Sequence, residues 1–442
     1  MDSFSTSLYT MLGRRAAEGN PLKVGLVGAG FIGRAVANQL LNATPGMSLS
    51  VICNRTLASA KRAYREAGRD DAPTVSTVGE LEDCIAHGVP AITDDTDVVL
   101  GTEGLEVLIE ATGAIEFAAQ FAVKAIESRH HLVSMTAEVD GTVGPILKRK
   151  ADNAGVIFTA GDGDQPGVLM NLFRFVKSIG MEPLVCGNIK GLQDRYRTPT
   201  TQAGFAAQWG QSPVMVTSFA DGTKISFEQA IVANGTGMSV EQRGMRGGDF
   251  EGHVDDLCRV GRYDIEKLRA LGGVVDYVVK ARPSPGVFVL ATTDDPKQRK
   301  MLSYYKLGDG PLYSFYTPYH LCHLEVPLSA ARAALLHDAT LAPIGRPYVE
   351  VIATAKKALR AGETLDGLGG YCCYGQCENR ETVLKERLLP MGLIEGCVAR
   401  RDVPRDQVLT YDDVQLPPSR SIDRLRDEMD ATFPLGDKSV SQ

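Results

Sequence analysis

Three glycines, spaced Gly28-x-Gly30-x-x-Gly33, carry the clearest chemical signal in this 442-residue chain. They end an apolar run, Leu22 to Val27, and open a helical pattern that starts at Phe31 and Ile32 and continues through Arg34 to Leu41. In that setting the first glycine permits a tight strand-to-helix turn. The second lets the main chain approach a pyrophosphate, and the third lets helix and strand pack closely. The helix N-terminus adds free N–H groups and the positive end of its dipole. The pattern predicts a dinucleotide held at Gly28, Gly30, Phe31, Ile32 and Gly33. The next apolar strand, Leu49 to Cys53, ends in Asn54, Arg55 and Thr56, with no Asp or Glu to take a ribose 2′-hydroxyl. Arg55 offers a planar fork of donors suited to a 2′-phosphate, with Asn54 and Thr56 adding hydrogen bonds, so the predicted cofactor is NADPH. The plainer alternative is a solvated loop charge at Arg55.

Such groups need a frame, and the chain continues to supply one. The strand Leu105 to Glu110 runs into a turn of small residues at Thr112 and Gly113. A helix over about 114–128 follows, then a strand from His131, a helix near 143–153 and a strand over 155–159. Alternating strands and helices imply parallel pairing, hence an α/β fold with an N-terminal doubly wound Rossmann domain. Ligands in such sheets lie beyond the carboxyl ends of the strands, which places Thr112, Gly113, Thr136 to Glu138 and Gly161 to Gln165 around one crevice. Glu138 is there a second acid–base group or a hydrogen-bond partner of the cofactor ribose.

Composition excludes several classes. Net charge is −7, 44% of residues are hydrophobic and 23% charged, as in ordinary globular proteins, with no basic excess for nucleic acid. No apolar run is long enough to span a membrane. Residues 1–21 lack a signal-peptide core: Leu8, Met11 and Leu12 followed by Arg14 and Arg15 read as a short docking helix, and Asp2 and Glu18 argue against a transit peptide. A cytoplasmic protein is expected. Nine cysteines, mostly within apolar strands, read as reduced core thiols, and Cys372, Cys373 and Cys377 lack metal-ligand spacing.

Further blocks follow in order: Ala17-Glu-Gly19, Glu110-Ala-Thr-Gly113, Gly161-Asp-Gly-Asp-Gln-Pro166, Asp221-Gly-Thr-Lys224 with Glu228, Ala233-Asn-Gly-Thr-Gly237, Ser284-Pro-Gly-Val-Phe288, Pro318-Tyr-His-Leu321 and Leu324-Glu-Val-Pro-Leu328. With the glycine turn and the stretch from Leu389 to Val414, they make the chain similar over nearly its full length to the homoserine-dehydrogenase-like oxidoreductases that carry a C-terminal SAF domain. Within these it most resembles the DRL group, the 1-deoxyxylulose 5-phosphate reductoisomerase-like enzymes. Where that family has two lysines after the strand near Leu184 to Cys186, this chain has Asn188 and Lys190. The expected organisation is a Rossmann domain over 1–165, an α+β catalytic and dimerisation domain over 166–345, and a small β-rich SAF-like module with a polar tail over 346–442.

The resemblance implies isomerisation of a phosphorylated ketose followed by NADPH-dependent reduction to a branched polyol phosphate. Lys224 then polarises a carbonyl or delivers a proton, with Asp221 and Glu228 beside it; a helix over 225–233 puts Lys224 and Glu228 on one face. A structural ion pair is the alternative. His320 shuttles a proton and Tyr319 donates to a substrate oxygen, or His320 is a satisfied core histidine. The family's chemistry also implies a hard divalent cation, Mg²⁺ or Mn²⁺, with Asp164 and Asp221 as candidate ligands; Asp164 alternatively caps a helix starting at Pro166. Lys190, Arg195, Arg197, Thr198 and Gln202 form a polar stretch suited to a phosphate or carboxylate. The expected partners are a small phosphorylated substrate and a second copy of the chain, with neither nucleic acid nor membrane. Two other functions stay open: a dehydrogenase of a small hydroxy acid or sugar acid without rearrangement, and a non-catalytic NADP(H)-binding sensor.

Overall fold

A computed structural model describes residues 7–436; Asp2 and the end of the polar tail lie outside the described residues. The chain forms two compact units. Of the described residues, the first comprises 7–140, 146–164 and 321–342, and the second 141–145, 165–320 and 343–436. Among the described residues, no helix is long and apolar enough to cross a membrane.

The first unit is built on six parallel strands: β1 (Leu22–Val27), β2 (Met47–Cys53), β3 (Ala91–Thr93), β4 (Val107–Glu110), β5 (His131–Ser134) and β6 (Phe158–Ala160). Their order is β3-β2-β1-β4-β5-β6, the doubly wound arrangement, with its reversal between β1 and β4. Helices cover both faces, so the strands are apolar along their length instead of alternating; Leu22, Val24, Leu26 and Val27 of β1 are all buried. The predicted N-terminal docking helix spans Leu8–Ala17; it buries Leu12 in the core of this unit, and Arg15 pairs with Glu106 at 2.6 Å.

One helix of this unit arrives late in the chain. Cys322–Leu336 packs Val326, Ala330 and Ala331 into the same core as Leu26, Val36 and Val133. Its small residues let the backbone approach closely. Ser329 receives a hydrogen bond from the Asp162 N–H at 2.6 Å, and the Asp162 carboxylate accepts from Ser329, Thr340 and Arg332. The turn after β6 is thereby fastened to the returning helix. Residues 321–342, expected in the second domain, thus belong to the first unit.

The second unit holds a mixed sheet of β7 (Glu182–Lys190), β8 (Val274–Val279), β9 (Gly286–Thr292) and β10 (Leu312–Thr317), in the order β10-β9-β7-β8. β7 runs parallel to β8 and antiparallel to β9. The helix Thr223–Thr236 is buried from Ile225 to Gly235, so it lies at the centre of the unit and not on its surface. It packs on β8 and also on the hairpin of β11 (Val349–Ala355) and β12 (Cys373–Asn379). The C-terminal β segment therefore shares a unit with residues 165–320. The predicted helix near the C-terminus spans Ser421–Thr432; its Arg426, together with Arg380, is buried against Glu350.

A second buried charge clasps the C-terminal segment in place. Lys356, 2% exposed, donates from Nζ to Asp221 at 2.8 Å and to the carbonyls of Arg197 and Gly370. Removing one member of a buried pair strands the other. Lys356→Met is therefore expected to lose about 3–5 kcal/mol in urea unfolding at pH 7, whereas the double variant Lys356→Met/Asp221→Leu recovers most of that loss.

Candidate functional site

The dinucleotide turn begins where β1 ends. Gly28 has φ +104°, a conformation side chains disfavour, and a Cβ there would lie 2.7 Å from the Ala111 carbonyl oxygen. A Cβ on Gly33 would stand 2.1 Å from the carbonyl oxygen of Gly28, so only glycine lets the helix Phe31–Asn42 come this close. Gly30 differs: a Cβ would meet nothing within 4 Å, and no side chain caps the helix that Gly30 begins. Open N–H groups beside open space are what a pyrophosphate requires, so the residues present fit a dinucleotide.

Asn54 has another task than the expected one. Its Oδ1 accepts from the Ala29 N–H at 3.0 Å and its Nδ2 donates to the Thr56 carbonyl at 2.9 Å. The amide braces the glycine turn against the end of β2. Arg55 and Thr56 are exposed beside it, and Thr56 N-caps the helix Leu57–Glu66 without using its hydroxyl.

Across the reversal point, the loop after β4 is organised by Glu110, a residue whose role the sequence did not reveal. Its Oε1 accepts from the Thr112 N–H at 2.7 Å and from the Thr112 hydroxyl at 2.5 Å, and Ser134 donates to Oε2 at 3.3 Å. Burial pushes the Glu110 carboxyl above its usual range, while these donors pull it back. Gly113 N–H donates to the Thr136 hydroxyl at 3.2 Å, joining the loops after β4 and β5. The helix Ala137–Ala154 starts six residues before the predicted one, so Glu138 lies buried in its first turn. Asp140, in the same helix, is buried with both carboxylate oxygens unpartnered among the described residues, and desolvation pushes it up to about 7.

In the second unit β7 ends in Asn188 and Lys190. Lys190 Nζ donates to Gln165 Oε1 at 2.5 Å and to Glu228 Oε2 at 3.1 Å, and Asn188 Nδ2 reaches the same two oxygens, each at 3.2 Å. Asn188 Oδ1 is a buried acceptor with no partner among the described residues. Lys190 keeps part of its surface open while Glu228 is buried. Two of the predicted residues thus meet in one cluster, and Gln165 and Asn188 complete it.

The other predicted residues divide. Asp221 faces Lys356 and accepts from the Thr223 N–H at 2.9 Å; burial raises its carboxyl, against which the Lys356 ammonium pulls. It is a buried structural anion, which corrects its assignment to catalysis and to a metal. Lys224 sits half-buried in the first turn of Thr223–Thr236. Thr198 caps the helix Pro199–Trp209 reciprocally with Thr201, and Gln202 is buried in that helix, so neither is presented as a ligand. Arg195 packs over the Tyr374 ring, and Arg197 pairs with Asp194 at 3.1 Å. Tyr319 is exposed, and His320, half-buried beside it, has an Nδ1 without a partner among the described residues. Asp164 directly precedes the helix Gln165–Ser178, which starts one residue before the predicted Pro166. No group of three or more His, Cys, Asp or Glu side chains among the described residues is placed to hold a metal ion, so the donor set does not fit the implied cation. Cys372, Cys373 and Cys377 are buried free thiols whose pKa values burial raises.

Residues 28–141 match the model of the homoserine dehydrogenase NAD binding domain, and residues 163–326 that of the oxidoreductase DRL catalytic domain. The chain is an NAD(P)-dependent oxidoreductase that uses a nicotinamide dinucleotide. No curated protein matches it. Among solved structures, GenD2 from gentamicin A biosynthesis, in complex with NAD, is 15% identical, covering 67% of this chain and 72% of its own, with a TM-score of 0.35. A myo-inositol dehydrogenase from Corynebacterium glutamicum is 12% identical, covering 62% and 73%, with a TM-score of 0.36. The putative oxidoreductase yvaA from Bacillus subtilis is 12% identical, covering 72% and 90%, also with a TM-score of 0.36. Likenesses of this size fix neither substrate nor reaction.

Two expectations follow. Gly30→Ala should keep its thermal stability and weaken dinucleotide binding at least tenfold by calorimetry, whereas Gly33→Ala should unfold at lower temperature. For Asp140, the folded carboxyl titrates near 7 and an unfolded one at roughly 3.9, so the folded state holds the extra proton between those values. Stability attributable to this group is present at acid pH and falls as pH rises through that window. Asp140→Asn should therefore be more stable than the natural protein at pH 8, with the difference closing by pH 4 in denaturant titrations.

Proposed function

We propose that this protein is an NADPH-dependent reductoisomerase of the DRL type, acting on 1-deoxy-D-xylulose 5-phosphate or a closely related phosphorylated ketose. The observation that carries the reading is the Lys190–Glu228 pair with Gln165 and Asn188, inside the stretch that matches the DRL catalytic domain. The bound nicotinamide supplies a hydride. Lys190 has three N–H donors, of which two are directed at Gln165 and Glu228, leaving one for a substrate oxygen. As a carbonyl carbon takes a hydride, its oxygen gains charge and needs a proton, which Lys190 Nζ gives in this reading. Glu228, buried against the ammonium, holds Lys190 aligned between turnovers. Asn188, buried beside this pair, helps to hold Gln165 and Glu228 in place. Arg55 selects the 2′-phosphate, and residues 346–442 form the SAF-like module.

One observation favours a second reading, a dehydrogenase that moves a hydride without rearranging carbon. Shifting the skeleton of a hydroxyketone draws on a Lewis acid, and the donor set for one is lacking among the described residues. Plain hydride transfer has no such need.

Loss of NADPH absorbance with deoxyxylulose phosphate and Mn²⁺ supports the first reading. Metal-independent reduction of NADP⁺ by a small hydroxy acid or sugar acid supports the second in its place. In either case Lys190→Met should lower kcat/KM at least a hundredfold with an unchanged circular dichroism spectrum. Arg55→Asp should shift the ratio of NADPH to NADH affinity tenfold or more toward NADH; an unchanged ratio removes Arg55 from cofactor selection.

A further inference from the structure

Five segments of the second unit border a cavity of about 520 Å³. They include Gly237, which caps the C-terminus of the central helix, and the first residues of the helix Arg380–Glu386. None of the lining residues belongs to the dinucleotide turn or to the cluster around Lys190 and Glu228. Gly237 lies nine residues beyond Glu228 on the same helix, about 13 Å along its axis. The cavity is therefore a separate place.

Volume and lining decide what kind of molecule fits. Small-molecule sites run from roughly 300 to 1,000 Å³, so an inorganic anion would leave most of this space unfilled. Leu271, Pro347, Leu384, Phe433 and Leu435 supply hydrocarbon surface, and Leu435 is 58% exposed. A ligand that covers them must bring an apolar body. Charge then sets its polar end. Arg346 is half-buried, its guanidinium 5.1 Å above the Tyr348 ring, whereas Glu381, the acidic residue of the lining, is exposed. Water screens the exposed carboxylate more than the half-buried cation, which favours an anion. Arg380 adds a second guanidinium to the wall. Its Nη1 and Nη2 are taken by Glu350 and Asp430, and its buried Nε–H has no acceptor among the described residues. A carboxylate matches the planar fork of Arg346, whose five donors exceed what one neighbour uses.

We infer that this cavity is a second ligand site, for a carboxylic acid with an aromatic or branched hydrocarbon body. The inference holds whichever substrate the enzyme takes. 2-Naphthaleneacetate is a probe of that class, and 2-(2-naphthyl)ethylamine presents the same body with the opposite charge. Calorimetry on the full chain saturated with NADPH should show one acid bound per chain, with the amine at least tenfold weaker. Arg346→Gln should weaken the acid at least tenfold. Leu384→Trp, which fills the space, should abolish its binding. Both variants should keep the NADPH affinity and far-UV circular dichroism of the natural protein; should Leu384→Trp fail to fold, Arg346→Gln decides alone. No binding of the acid, equal binding of the amine, binding that NADPH displaces, or an Arg346→Gln chain of unchanged affinity would each overturn the inference.

Discussion

A polar side chain on a helix with no solvent-facing side must find its partner inside the protein, and that constraint organises the second unit. The helix Thr223–Thr236 carries Ser226, Glu228, Gln229 and Asn234 in its buried stretch. Gln229 donates to the Asp276 carbonyl on β8, Ser226 to the Gly375 carbonyl on β12, and Asn234 bonds the backbone of Tyr348 and Val349. These bonds tie the mixed sheet and the C-terminal hairpin to one axis. Glu228 is under the same requirement and meets it with the end of β7, through Lys190 and Asn188. The candidate proton-handling pair is thus also part of what holds the unit together, which is why it is rigid enough to be useful.

The first unit meets its needs largely through the backbone. At the reversal between β1 and β4 two strands end side by side, and the chain must turn sharply without obstructing the space above. Gly28 and Gly33 allow the turn, while Asn54 and Glu110, on the neighbouring strand ends, hold the loops that border it. Neither side chain need touch a ligand for the geometry to depend on it. The returning helix at Cys322–Leu336 does similar service for the turn after β6, with Asp162 at the centre of four hydrogen bonds.

Much of the first unit was legible because its signals are local. A glycine turn, a continuous apolar strand and a helical period each occupy about ten residues, and five of the strands and the helices Phe31–Asn42 and Ile115–Glu127 lie close to where the pattern places them. The partners of charged groups were not legible. Asp221 and Lys224 are three residues apart, yet Asp221 pairs with Lys356, 135 positions away. Lys190 and Glu228, read as separate substrate and catalytic groups, form one pair. Spacing along a helix tells which residues share a face and says nothing about what a distant segment brings to that face. Thr198 and Gln202 show the same limit, since a polar residue near a helix start reads alike whether it caps the helix or binds a ligand.

What the amino-acid order alone determined is the kind of chemistry: a phosphate-binding turn, an arginine where a carboxylate would favour the smaller ribose, and a doubly wound frame for both. Each follows from conformational limits on single residues and from periods of two or 3.6, which act over short distances. The tertiary structure alone decided which ionisable groups work as pairs and which are merely structural. It also decided that a helix from beyond residue 320 completes the first unit. Those outcomes depend on burial, and burial is set by how distant segments pack against one another.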